Sequence, residues 1–286
     1  MANELNVDVN AFWENGYQII RNAYTRDEIQ RIREAALASR GRGPGDLLSN
    51  PKMRNVLTDG RFVSVAKQLL GSDDIWYSGD SSFTINSSQR GFHKDNVDRK
   101  DPKGPDWKGR YTLLRFGIYL QDHYSHTGGL NLRAKSHNTT DHNYGKNIYV
   151  RTRPGDLAVW SMRTTHSGNG ALYKFPKWVF PEPKDVPNLP KWRVAKADGD
   201  RVAVFAALGL DDAHHHRYVE YMKTRTYLIN SFKASVYDEE TRQEAKNAGL
   251  NIWDVAAEIE GDDTVGKNVA WEPIPYEIGA EKRVRA

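Results

Sequence analysis

Between residues 8 and 71 the apolar positions recur at helical spacing. Val9, Phe12, Trp13 and Tyr17 make one stripe that Gly16 ends, and Gln18-Ile19-Ile20-Arg21 then reads as a short strand. Thr25 followed by Glu28 spells a capping box for a second helix, with Ile29, Ile32, Ala36 and Leu37 on its inner face. The stretch from Arg40 to Asp46 carries too many breakers for regular structure. It lacks both a preceding strand and a Gly-Lys-Ser/Thr ending, so it reads as a flexible loop near a pocket mouth and not as a phosphate loop. Arg61 to Leu70 is a third helix, apolar at Phe62, Val65, Ala66, Leu69 and Leu70, with Gly71 as its stop.

From residue 75 the period shortens to that of strands. Ile75–Tyr77, Ser82–Ile85, Thr112–Leu120, Leu130–Leu132, Ile148–Val150 and Leu157–Trp160 are β-rich runs, with turns at Thr127-Gly128-Gly129-Leu130 and Arg153-Pro154-Gly155-Asp156. Residues 171–198 interrupt them with five prolines among Phe175, Trp178, Phe180 and Trp192, which predicts a stiffened cover over a pocket. Arg201–Leu208 resumes as a strand apolar on both faces. Asp211 then opens a helix to about Ser231. Its consecutive histidines, His214, His215 and His216, point in different directions and cannot make one metal site. Helical pieces at Glu239–Ala248 and Ile252–Ile259 precede an irregular charged end containing Pro273 and Pro275.

This pattern predicts a mainly β jelly roll, a cupin-like double-stranded β-helix, with flanking helices. The helical part is 8–71, the β core about 75–210 with the inserted loop 171–198, and the helical C-terminal part 211–286. No linker divides them, so the expectation is one domain over 1–286.

Composition narrows the chemistry. With no cysteine, disulfides, thiolate catalysis and cysteine-ligated zinc or iron–sulfur sites are excluded. Net charge is +4, from 41 basic and 37 acidic residues spread along the chain, so no nucleic-acid partner is expected. Met1–Asp8 has no basic and apolar leader and no later run is long enough to span a bilayer, so a cytoplasmic protein with no membrane partner is expected.

The candidate chemistry sits in Gly91-Phe92-His93-Lys94-Asp95. On an extended strand His93 and Asp95 share a face, and His166, just after the Asp156–Ser161 run, is the best third ligand. Two histidines and one carboxylate on one face of an octahedron leave three positions open, the arrangement of non-haem Fe(II) oxygenases; the open positions suit a bidentate co-substrate and O2. The same ligands suit Zn²⁺, but no well-placed general base supports a hydrolase. His137 reads as finishing a turn by hydrogen bonding, and His123, His126 and His142 as solvated or pocket-rim residues. Arg99, Lys100, Lys103, Lys108 and Arg110, with Arg115 on the next strand, make a loop able to receive an anionic or polyhydroxylated small molecule. The alternative is a solvated loop balanced by Asp98, Asp101 and Asp106.

In their order, several pieces resemble the phytanoyl-CoA dioxygenase (PhyH)-like family of Fe(II)/2-oxoglutarate oxygenases. These are the Phe12–Leu37 helices, Phe92-His93-Lys94-Asp95, Tyr119-Leu120-Gln121-Asp122 leading to Gly128-Gly129-Leu130, Ala134-Lys135-Ser136-His137, Pro154-Gly155-Asp156 and His166-Ser167-Gly168-Asn169. The resemblance implies that His93, Asp95 and His166 hold Fe(II), that 2-oxoglutarate chelates it through its keto acid end, and that an arginine binds the far carboxylate. In the family this arginine follows the distal histidine closely, whereas here 171–198 intervenes. Arg201, at the start of the next core strand, fits best; Arg193, Lys177 and Arg163 are rivals, and Ser167, Lys94 and Arg115 are further candidates for co-substrate binding. The implied reaction hydroxylates an unactivated carbon of a small, anionic or polar molecule, with succinate and CO2 as co-products. The carboxylate of Asp95, where related halogenases carry a small residue, favours hydroxylation over halogenation; desaturation, epimerisation and ring formation draw on the same oxidising centre. The contrasting reading is a non-catalytic jelly-roll binding protein. Oligomeric state is not legible.

Overall fold

The computed structural model describes residues 5–87 and 91–267. In chain order the elements begin α1 (Val9–Asn15), β1 (Tyr17–Ile20), α2 (Arg26–Ala38), α3 (Asn55–Thr58), α4 (Arg61–Leu70), β2 (Ile75–Tyr77), β3 (Ser81–Ile85), β4 (Leu113–Tyr119), β5 (Gly129–Arg133) and β6 (Asn147–Val150). They continue with β7 (Leu157–Ser161), β8 (His166–Gly170), β9 (Val202–Gly209), α5 (Ala213–Lys223), α6 (Thr226–Ala234), α7 (Glu239–Asn247), β10 (Leu250–Ile252) and α8 (Val255–Glu258). The chain divides into two compact units, each assembled from three separated stretches. The first holds 1–40, 83–95 and 116–205, and the second holds 41–82, 96–115 and 206–286.

In the first unit, β1 pairs antiparallel with β7 from Tyr17↔Trp160 to Ile20↔Leu157, and β7, β4 and β9 follow in order. A smaller sheet runs β6-β5-β8, with Leu130↔Val150 and Leu132↔His166 as partners. Alternation sends Tyr119, Ala158, Trp160 and Ala203 of the larger sheet and Leu130, Leu132 and Val150 of the smaller one into one shared core. Two sheets packed over such a core are the double-stranded β-helix, as the strand spacing predicts.

The helices obey their sequence signals. Both arms of the Thr25/Glu28 capping box are formed, and Gly16 ends α1 in the left-handed region at φ 82°. The Gly16 carbonyl accepts from Ser161 N and Thr164 Oγ1. A Cβ there would lie 2.4 Å from His137 Nδ1 and 2.8 Å from Thr164 Oγ1. Gly16→Ala is therefore expected to cost about 2–4 kcal/mol from backbone strain and overpacking. A thermal melt against the unaltered chain reads it.

In the second unit, β2 pairs with β9 at Trp76↔Gly209 and runs parallel to β10. Its core includes Phe62, Val65, Tyr77, Met222 and Phe232. Two features differ from the sequence reading. The helix expected through about Ser231 is broken after Lys223, because Thr224 Oγ1 donates to the Tyr221 carbonyl and Arg225 takes extended dihedrals (φ −92°, ψ 116°). Ile252, expected to begin the last helix, instead ends a strand, Leu250–Ile252, since Gly249 turns the chain at φ 75° and β2 supplies a ladder; only Val255–Glu258 is helical. The charged end with Pro273 and Pro275 lies outside the described residues. Among those residues, no helix is long and apolar enough to cross a membrane.

Candidate metal centre

His93 and Asp95 do not sit in a long strand. A single antiparallel bridge holds them: His93 N donates to His166 O at 3.0 Å and His166 N to His93 O at 2.9 Å, while Asp95 N reaches Met162 O at 2.9 Å. That pairing brings residues 73 positions apart in sequence side by side. The imidazole centroids lie 4.4 Å apart. Nε2 of His93 is 3.8 Å from Asp95 Oδ1, and Nε2 of His166 is 3.6 Å from Asp95 Oδ2. One ligand atom from each of the three lies within 4.8 Å of the others, and this is the one such cluster among the described residues.

The backbone sets the tautomers. His93 Nδ1 lies 2.9 Å from Gly91 O and His166 Nδ1 lies 3.0 Å from Thr164 O; a carbonyl can only accept, so both Nδ1 atoms carry the proton and both lone pairs fall on Nε2. Cis ligands at bonds of ~2.1 Å sit ~3.0 Å apart. The observed separations are slightly wider, so small side-chain rotations bring the three donors onto one ion. The residues fit a divalent metal with hard and borderline ligands.

Lys94, between the two candidate ligands, is buried, and its Nζ donates to Ser136 O at 2.7 Å and Arg163 O at 2.8 Å. Burial first, and then the Arg163 guanidinium, pull its pKa down to about 7. Ser167 is buried on β8, with its Oγ 3.4 Å from Gly168 O. Arg115 falls in the second unit, where its Nη2 pairs with Asp80 Oδ2 at 2.8 Å and Tyr218 OH donates to the same oxygen at 2.6 Å.

Arg201 is 6% exposed. Its Nε donates to Gly128 O at 2.6 Å and its Nη1 to Ser87 Oγ at 3.0 Å, yet among the described residues no carboxylate pairs with it. Beside it stands a residue that sequence reasoning missed. Tyr119, fully buried with its ring centroid 5.9 Å from the Arg201 guanidinium, has no hydrogen-bond partner for its hydroxyl among the described residues. Its signal is its place at the end of the apolar run Leu113–Tyr119, which is buried on both faces. The ring of Trp160 lies 5.3 Å from that of His166, and Phe205 bridges Trp160 and Tyr119 at 6.5 and 5.8 Å. A Cβ on Gly168, two residues after His166, would lie 3.6 Å from Arg201 Nη2. The candidate ligand His166 and the Arg201 guanidinium thus both border the interior that Trp160, Phe205 and Tyr119 line.

The 171–198 segment does not close over that interior along its Phe180–Glu182 stretch. Tyr149 stacks on Phe180, Asn147 Nδ2 donates to the Phe180 and Pro181 carbonyls, and Arg133 pairs with Glu182 at 2.7 Å. Asn147, Tyr149 and Arg133 occupy the face of the small sheet opposite to Leu132 and His166, so this stretch lies on the outside.

His123, expected at a rim, is completely buried, and His137 and His215 are 1% exposed. Desolvation pushes all three down to about 4 from an ordinary value near 6.5. Between those pH values the unfolded chain binds protons that the folded chain refuses. The stabilisation is complete above about pH 6.5 and is lost as pH falls toward 4. Unfolding free energy from urea titration is expected to drop by about 3–5 kcal/mol between pH 7 and 5.

The double-stranded β-helix, carrying a cluster of two histidines and one carboxylate, is the class to which this chain's fold belongs. In structure the chain is similar to EctD from S. alaskensis, solved with 2-oxoglutarate and 5-hydroxyectoine, at a TM-score of 0.52 and 16% identity over 73% of this chain and 78% of that one. The non-heme alpha ketoglutarate dependent carbocyclase SnoK of nogalamycin biosynthesis matches at TM-score 0.51 and 16% identity (72% and 85% covered). HygX from Streptomyces hygroscopicus, solved with nickel and 2-oxoglutarate, matches at 0.51 and 14% (71% and 85% covered). No protein-family model matches the chain, and no curated protein matches it significantly.

Proposed function

We propose that the protein is an Fe(II)- and 2-oxoglutarate-dependent oxygenase of the phytanoyl-CoA dioxygenase-like type that hydroxylates a small polar or anionic molecule. The observation that carries the reading is the convergence of His93, Asp95 and His166, with both Nε2 lone pairs turned inward, next to a buried guanidinium that has no carboxylate among the described residues. All three solved neighbours named above are described with 2-oxoglutarate or as dependent on it, which supports the same co-substrate here.

In this reading His93 Nε2, His166 Nε2 and one Asp95 oxygen hold Fe(II). When bound, iron and 2-oxoglutarate supply the oxidising power, using O2 and releasing succinate and CO2. The chain's own residues do the rest. Arg201 holds the far carboxylate by charge-assisted hydrogen bonds, and the Tyr119 hydroxyl donates a further one. His166 and Gly168 are two residues apart, about 7 Å along a strand, and a five-carbon dicarboxylate spans that length. Trp160 and Phe205 wall the path with apolar surface and keep water from it, which strengthens the ionic contact at Arg201. Lys94, bound to two backbone carbonyls, fastens the ligand-bearing segment to Ser136 and Arg163 and takes no part at the co-substrate. Arg115, committed to Asp80, is likewise left out.

Succinate formed from 2-oxoglutarate in air with added Fe(II) tests the proposal. Slow, substrate-independent formation is expected from the unaltered chain and none from His93→Ala. If the two are equal while the protein binds Fe(II), the reading fails.

A further inference from the structure

Residues 172–195 fold back on themselves as an arm of the first unit. Tyr173 bridges Val194, Lys174 N donates to Arg193 O at 2.8 Å and Ala195 N to Leu172 O at 2.7 Å. Its base is anchored: Leu172 and Ala195 are buried against Tyr149. The exposed part, its tip, is 174–179 with 190–193, on either side of the anchored Phe180–Glu182 stretch. Phe175 is 73% exposed, Trp178 70% and Trp192 76%, among the most exposed large apolar side chains described. Phe175 meets Trp178 edge-on with centroids 5.8 Å apart, and Lys174 Nζ donates to the Trp192 carbonyl at 2.9 Å, which ties residue 192 to the start of the Phe175–Trp178 stretch. Among the described residues of the first unit nothing else leaves so much aromatic surface in water, and exposed clusters of this kind mark interaction sites.

The charges around the tip choose the partner. The two tip stretches, 174–179 and 190–193, contain Lys174, Lys177, Lys191 and Arg193 and no acidic residue, and Arg151 Nη2 donates to the Lys177 carbonyl at 2.6 Å. We infer that the tip of this arm docks on an anionic lipid bilayer. Tryptophan and phenylalanine partition into the headgroup and acyl boundary, while lysine and arginine at the same depth are drawn to acidic headgroups. Pro176 and Pro190 preset the backbone, so little ordering remains to be done on docking. A second copy of this chain is disfavoured, because a two-fold contact through the tip would set cations against cations. Single-stranded nucleic acid is disfavoured too: it calls for a basic groove that tracks the backbone, whereas here the cations flank exposed apolar side chains that include the aliphatic Val179, 43% exposed. The docking is peripheral, and it stands apart from the proposed oxygenase activity.

The test is co-sedimentation of the full chain with phosphatidylcholine vesicles, with and without one-third phosphatidylglycerol, at low and high salt. Binding is expected to the anionic vesicles only, to weaken as salt rises, and to fall about tenfold or more in Trp178→Ala/Trp192→Ala and in Lys177→Glu/Lys191→Glu. Circular dichroism melts of both variants should match the unaltered chain, which keeps a folding defect from imitating the result. Failure of the unaltered chain to bind anionic vesicles would overturn the inference. So would undiminished binding by the tryptophan variant, or tighter binding to a single-stranded oligonucleotide than to vesicles. So would a dimer that the tryptophan variant turns into a monomer.

Discussion

Replacing His93 or His166 with alanine should abolish stoichiometric Fe(II) binding and with it succinate formation from 2-oxoglutarate. Each substitution removes one of three protein donors, and the two that remain are 3.6 or 3.8 Å apart and cannot fix the ion by themselves. Loss of a partner that merely orients a ligand typically costs ~10–100-fold in metal affinity, so loss of the ligand itself should exceed ~100-fold. Asp95→Ala leaves both imidazoles in place but removes the anionic donor, and the same order of loss is expected. Isothermal titration with Fe(II) under argon gives the affinities. Melts taken beside it should show the apo variants folded, because the bridge between His93 and His166 is made by backbone atoms that alanine retains. An alanine variant with unchanged iron affinity would remove that residue from the site.

Arg201→Met should leave metal binding intact and raise the dissociation constant for 2-oxoglutarate by about 100-fold or more. Truncating one member of a buried hydrogen-bonded charge pair costs roughly 2–5 kcal/mol, and methionine keeps most of the volume without the fork of donors. Tyr119→Phe deletes one hydroxyl donor to a charged partner, worth ~1.5–3 kcal/mol, so a loss of about tenfold or more is expected. Calorimetry with the Ni(II)-loaded protein separates the two effects without turnover. If Arg201→Met bound 2-oxoglutarate normally while Arg193→Met did not, the carboxylate site would belong to the arm instead.

Much of this was written in the chain where periodicity or turn chemistry is local. The capping box at Thr25, the stop at Gly16 and the β runs at 113–119 and 157–161 appear as read, because each needs only neighbours within a few residues. What stayed hidden depends on partners far along the chain. His166–Gly170 is a strand made of His, Ser, Gly, Asn and Gly, residues with weak strand preference, held by its ladder with β5. The parallel strand at Leu250–Ile252 exists because β2 lies beside it. His123 looked solvated, since nothing in its loop reveals that Tyr119 and Tyr149 enclose it. The three candidate ligands were legible by type and spacing, but their tautomers were not: Gly91 and Thr164 set these with backbone carbonyls, which leave no mark in side-chain pattern. The outward course of Phe180–Glu182 is not legible either, because proline and aromatic content announces a stiff segment without saying which face of a sheet it will cover.

The most direct measurement is diffraction from crystals grown anaerobically with Fe(II) and 2-oxoglutarate, recorded on both sides of the iron absorption edge. One anomalous peak is predicted, within about 2.2 Å of His93 Nε2, His166 Nε2 and an Asp95 oxygen, with the co-substrate's far carboxylate against Arg201. A peak elsewhere, or an imidazole of His93 or His166 turned away from it, would contradict the assignment.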